Sequence, residues 1–168
     1  IPTFIATDAQ VGVPLANSRD TLYAAITNAD QNETRNVVQY YPSITNAGVE
    51  TPATTAAIMD VLVPRAPGTF IRTLGETMMI GTVQTTKREP FIILESNNFD
   101  VAFAGMLEWE EYLEDDLRKL LPQETITGAS RRAPFTDALT ANKSIRILYD
   151  GENEERLMYA FINRNLIC

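Results

Sequence analysis

The chain has no histidine and only one cysteine among its 168 residues. Without imidazole it lacks the usual base near neutral pH, the commonest metal ligand and the ordinary proton shuttle. Ser-His-Asp and Cys-His catalysis are excluded, as are zinc sites built on histidine. Chemistry through Asp, Glu, Lys or Tyr stays open, but only with strongly shifted pKa values. The lone Cys168 makes neither an internal disulfide nor a thiolate cluster, and we read it as a small apolar residue closing a strand. Basic residues are also in short supply. With 14 Lys and Arg against 22 Asp and Glu, the net charge is −8, which argues against non-specific binding to nucleic acid or to anionic lipid surfaces. No apolar run reaches the roughly 18 residues a membrane span needs. No nucleotide-binding glycine pattern occurs, and no cofactor is expected.

What is present suits one globular domain, residues 1–168. The 45% apolar and 21% charged content is ordinary for a folded protein, and a chain of this size buries about 70% of its unfolded surface. Thr3–Thr7 reads as a short strand continued by Val11 to Leu15. Ser18 caps an amphipathic helix over 18–30, with Leu22, Ala25, Ile26 and Ala29 at helical spacing. Val37–Tyr41 is a strand ended by Pro42, and 43–50 a polar connection. Thr51-Pro52 signals a helix start, with Ala56 to Val63 as its body and Pro64 as its stop. Thr69 to Leu74 forms a helical turn ended by Gly75.

Thr77–Gln84 and Pro90–Glu95 are strands, the second apolar on both faces at Phe91-Ile92-Ile93-Leu94. Asn97 caps a long helix with Asp100 in its first turn. Phe99, Phe103, Met106, Leu113, Leu117 and Leu120 form its stripe, Pro122 its end, giving about six to seven turns near 97–121. Gln123–Pro134 is a connecting loop. Ser144–Tyr149 and Leu157–Ile162 are strands around Asp150-Gly151-Glu152-Asn153, with the glycine taking positive φ. Leu166–Cys168 is a last short strand. The expected architecture is α+β: a largely antiparallel sheet with helices packed on it.

The span Phe91 to Leu120, FIILESNNFDVAFAGMLEWEEYLEDDLRKL, resembles a stretch in uncharacterised proteins of candidate-phylum (ultrasmall) bacteria. There an apolar strand, a polar turn and a helix with an A-F-A-G-M-L-x-W-E core precede an acidic tail. Phe135-Thr136-Asp137, Asn142-Lys143 before Ile145-Arg146-Ile147-Leu148, and Leu157 to Asn165 extend the resemblance over residues 90–168. Weaker agreement occurs at Ile1 to Thr7 and Phe70 to Gly81. The resemblance implies an extracytoplasmic domain of a single-pass, membrane-anchored envelope protein. It assigns no activity and no catalytic residue. It further implies an anchor upstream of Ile1-Pro2, which is not a Met start, and a chain that continues past Cys168.

Six carboxylates, Glu108, Glu110, Glu111, Glu114, Asp115 and Asp116, fall within nine residues. Glu108, Glu111 and Asp115 share one helical face, Glu110 and Glu114 a neighbouring one. A single helix rarely converges enough oxygens for a hard cation, so no metal is expected. A solvated face is the simplest expectation, a docking surface for a basic partner the next. Trp109 and Tyr112 beside the cluster fit interface anchors or packing, with packing preferred. The candidate partner-binding residues are therefore Glu108, Trp109, Glu111, Tyr112 and Asp115. Arg131, Arg132 and Lys143 lack a phosphate-binding fingerprint and read as solvated. The sequons at Asn32 and Asn142 carry little weight. Gly105 in mid-helix implies close approach of the sheet.

The leading expectation is a non-enzymatic interaction or scaffold domain, its partner an envelope protein and its only membrane tie an N-terminal anchor. A small-molecule or glycan-binding domain, or a carboxylate hydrolase using acids near the 123–134 loop, is the second. A soluble cytosolic regulator is the third.

Overall fold

The computed structural model describes residues 1–121 and 134–168. The fold is α+β, as the sequence implies, but the strands divide into two sheets. The first has the order β1-β2-β4-β5-β9, with β3 paired to β2, and the second the order β6-β7-β8. Residues 3–7 are not a strand; β1 is Ala9–Pro14. It pairs parallel with β2, Val37–Asn46. The connection is α1, Arg19–Asp30, capped where Ser18 accepts the Thr21 N–H.

Pro42 does not end β2. The β4 pairing stops at Tyr40, and β3 (Val49–Pro52) begins at Ser43 on the same side, leaving Pro42 in the gap. A residue without an N–H is tolerated there because no ladder bond is required of it. The stretch 43–50 is correspondingly a hairpin rather than a loose connection. Its two-residue turn holds Ala47 at φ 49° and Gly48 at φ 81°, the left-handed pair that matches strand twist. Alanine is poorly suited to that region. Ala47→Asn is expected to raise stability by about 0.5–1 kcal/mol, read as a higher midpoint in urea.

Thr51-Pro52 therefore belongs to a strand, and the helix start lies three residues on, where Thr54 caps α2, Thr55–Leu62. Val63 takes φ 44° before Pro64, ending the helix. The short α3 is Gly68–Ile71, ahead of Gly75. Leu74 and Gly75 already belong to β4, Leu74–Gln84, which pairs antiparallel with β5, Arg88–Ser96.

α4 spans Phe99–Leu117, 19 residues or about five turns, and its cap is Asn98 rather than Asn97. The predicted stripe is rotated. Ala102, Gly105, Met106, Trp109, Leu113 and Asp116 are buried, whereas Phe103 is 44% exposed. The close approach at Gly105 is to Phe70 of α3, not to the sheet: a Cβ there would stand 2.4 Å from the Phe70 Cβ. The helix end at Pro122 and the 123–133 loop, with Gly128, Ser130, Arg131 and Arg132, lie outside the described residues.

The second sheet holds β6 (Thr136–Thr140), not foreseen as a strand, with β7 (Lys143–Tyr149) and β8 (Glu155–Ala160). In the β7–β8 turn it is Asn153, not Gly151, that takes positive φ. β9, Leu166–Ile167, pairs with β5 and also bridges to Phe161, so it stands between the two sheets.

Candidate functional site

Along α4 the acidic run divides into an inner and an outer set. Asp116 is the innermost, 2% exposed. Its carboxylate accepts from the Trp109 indole N–H at 2.8 Å, the Arg65 backbone N–H at 2.8 Å and Nε at 2.9 Å, and Arg19 at 3.0 Å. The Tyr23 hydroxyl donates to its backbone carbonyl at 3.2 Å. Burial pushes this carboxyl upward, but the Trp109 and Arg65 hydrogen bonds outweigh it and hold the group below the ordinary aspartate range. A charge so surrounded fastens α4 to α1 and to the segment after α2.

Glu110 and Glu114 do the same for the second sheet. Glu110 takes both Arg146 Nε and Nη2 at 2.7 Å and the Tyr159 hydroxyl at 2.6 Å. Arg156 pairs with Glu114. Burial, reinforced by Glu110, raises the Tyr159 phenol and keeps it a neutral donor. The expectation of a solvated acidic face is therefore corrected: three of the six carboxylates are internal ties, because arginines distant in sequence converge on them.

The outer set contains the candidate residues. Glu108 and Glu111 are exposed. Asp115 pairs with Arg118 at 2.7 Å and Arg65 at 3.7 Å. Tyr112 is half-buried beneath the Arg65 guanidinium, 4.7 Å from its ring centre. Trp109 does not belong with them: at 5% exposure, with its N–H on Asp116, it is a core residue, as the packing reading held.

Sequence reasoning missed the apolar part of this outer face. Phe99, Phe103 and Leu107 follow one another a helical turn apart, with Phe103 44% and Leu107 39% exposed. Phe161 from the end of the second sheet joins them, 5.2 Å from Phe99 and 5.7 Å from Phe103 between ring centres. Arg164 stacks over Phe99 at 4.7 Å, and Ile162 is 42% exposed. The residues were legible as apolar, but their period alone does not say which side of a helix carries the neighbours.

Two other features stand apart from this face. At the end of α1, Asp30 accepts from the Tyr40 hydroxyl at 2.6 Å, Thr82 at 2.7 Å and Arg88 at 2.7 Å. Burial works against its charge, yet the Arg88, Tyr40 and Thr82 hydrogen bonds keep it low, and the Tyr40 phenol is pushed up to about 12, first by burial and then by Asp30. Saturated with donors, Asp30 is a structural tie. The second feature is a groove of about 630 Å³ between β5, α4 and β8. Glu114 and Arg156 form an ion pair across facing elements of its lining. Lys143 lies elsewhere and donates to the Ile162 carbonyl. Among the described residues no set of three His, Cys, Asp or Glu converges as metal ligands, and no helix is long and apolar enough to cross a membrane.

No family model, curated protein or solved structure matches the chain. Its function must be argued from its own residues.

Proposed function

We propose that this chain is a non-enzymatic interaction domain of the cell envelope, extracytoplasmic and membrane-anchored in its full-length form, that works by contact with another protein. The observation that carries the contact reading is the exposed side of α4, where Phe103 and Leu107 are 44% and 39% exposed and Glu108 and Glu111 are exposed on the neighbouring positions. Exposed aromatic and aliphatic side chains grouped on a rigid helix are the material of interface centres, and acidic neighbours give such a centre a polar rim. The partner is accordingly a protein offering an apolar socket edged with Lys or Arg. The envelope placement rests on the resemblance of residues 90–168.

A photo-crosslinking amino acid at Leu107 tests the contact in cells. The expected result is a discrete adduct that disappears when Phe103→Glu is added and that is absent when the probe sits at exposed Thr86. Equal adducts from both positions, or none from Leu107, would reject it. Placement is read separately: protease added to intact spheroplasts is expected to digest the domain, and protection would put it inside the cell.

A further inference from the structure

The groove between β5 and β8 has the hydrogen-bonding pattern of a missing strand. β9 fills its closed end. There Leu94 pairs with Ile167 and the Ser96 N–H reaches the Asn165 carbonyl at 2.7 Å. On the opposite side Ala160 and Cys168 exchange both bonds, at 2.8 and 3.0 Å. Backbone groups alternate in direction along an antiparallel strand. Ile92 and Pro90 therefore face the groove from β5 as Leu94 and Ser96 face β9, and Met158 faces it from β8 as Ala160 does, the alternation ending at the irregularity at Arg156. Among the described residues, β5 pairs only with β4 and β9, and β8 only with β7 apart from this bridge. The backbones of Ile92 and Met158 thus meet no partner strand there.

The two registers mesh. A strand in line with β9 would place its first residue opposite Ile92, its second opposite Met158 and its third opposite Pro90, which can accept but not donate. Successive residues would bond alternately left and right, as Ile167 and Cys168 do. Only an extended polypeptide has that alternation. The floor selects its side chains. Leu94 and Ile167, 5% and 3% exposed, lie on the α4 side, so the first and third residues of the occupant face Leu113 and Leu117 and must be apolar. The open mouth selects the residues beyond the third. Arg156 is held by Glu114 and Arg118 by Asp115, and the remaining charged residues of the lining are Glu89, Glu154 and Glu155 against Lys87, which favours Lys or Arg after the apolar residues.

We infer that this groove accepts a β-strand donated by a partner protein, of the pattern apolar-x-apolar followed by basic residues, running antiparallel to both β5 and β8. This rests on the reading of the chain as an interaction domain and names the partner's second point of attachment.

The test titrates the intact 168-residue chain with the peptide acetyl-Val-Thr-Ile-Lys-Lys-amide, followed by amide resonances. Saturable binding is expected, with slowed exchange at Ile92 and Met158. The same peptide N-methylated at Val and Thr should bind at least tenfold more weakly, since its side chains are kept and only its backbone donors are lost. Met158→Pro, an edge position whose N–H faces the groove, should likewise lose the peptide while circular dichroism is unchanged. Equal binding of the methylated peptide would show an apolar cleft and no strand addition. No binding, or protection only when the sequence is fused after Cys168, would also overturn the proposal, the latter by giving the groove to the chain itself. A Leu107 adduct that survives any of these failures leaves the interaction reading intact; loss of the adduct with peptide binding preserved removes that reading at the α4 face alone.

Discussion

Replacing Asp116 by alanine is expected to lower the unfolding free energy by about 3 kcal/mol, the lower end of the range for breaking a buried ion pair. The lower end applies because Arg19 and Arg65 are 33% and 44% exposed and recover water when the carboxylate goes. The Trp109 indole N–H cannot, and an unpaired buried donor alone costs about 1–3 kcal/mol. In a domain of this size the change corresponds to roughly 6–12 °C in Tm. Asp116→Asn keeps an acceptor for Trp109 but not the charge, so about two thirds of the loss should remain. The pH dependence has a definite sign. Asp116 and Asp30 both have folded pKa values below the ordinary 3.8, so their contribution is complete above that value and is lost as the pH falls through the lower, folded one. The wild type should therefore lose stability more steeply than Asp116→Ala below about pH 4, and urea midpoints between pH 2 and 6 read the difference. Parallel curves would show that Asp116 is not the hub described.

Phe70→Ala should cost about 4 kcal/mol, since Phe70 is wholly buried and removing a core ring forfeits both transfer energy and packing. Its contact with Gly105 makes a sharper experiment possible. Gly105→Ala alone gains roughly 1 kcal/mol of helix propensity, but its methyl would stand 2.4 Å from the Phe70 Cβ and 2.8 Å from Cγ. Overpacking of that kind costs about 1–3 kcal/mol, so the net effect should be a loss near 1 kcal/mol. With Phe70→Ala in place the ring is gone, and Gly105→Ala should turn neutral or stabilising. The resulting coupling energy of about 1–2 kcal/mol is measurable by denaturant titration. Additive losses would place the constraint on Gly105 elsewhere.

The α+β class was legible because periodicity survives in the long elements: α1, the β4–β5 pair and α4 all lie within a few residues of their expected bounds. Local signals failed where a distant contact decides. Pro42 reads as a strand end, yet β2 continues because β3 takes up its ladder after the proline. β6 has little apolar content to announce it, with only Ala138 half-buried along Thr136–Thr140, and it exists by pairing with β7. In α4, Phe103 and Trp109 are both large and apolar, and Phe70 and Asp116 decide which turns inward. The interior role of Asp116 was the hardest to foresee. A carboxylate among five others looks solvated until Arg19 and Arg65, 97 and 51 positions away, are seen to converge on it. Of the candidate residues, Glu108 and Glu111 kept their surface position, and Trp109 did not.

The second sheet is attached to the rest of the molecule by unusual means. Among the described residues it shares with the larger sheet only the two-residue β9, and beside the apolar seam of Phe135, Leu148 and Tyr159 its polar ties to α4 are Arg146 with Glu110 and Arg156 with Glu114. Both pairs are mostly buried, at 14–23% exposure, so ionic strength screens them little, and the shortness of the shared ladder is what sets this sheet apart. The amides of 136–160 should consequently exchange sooner than those of β4, which is paired along both of its edges. A partner that seats a strand beside β8 would act less as a visitor than as a clasp, lengthening the narrow seam that joins the two sheets.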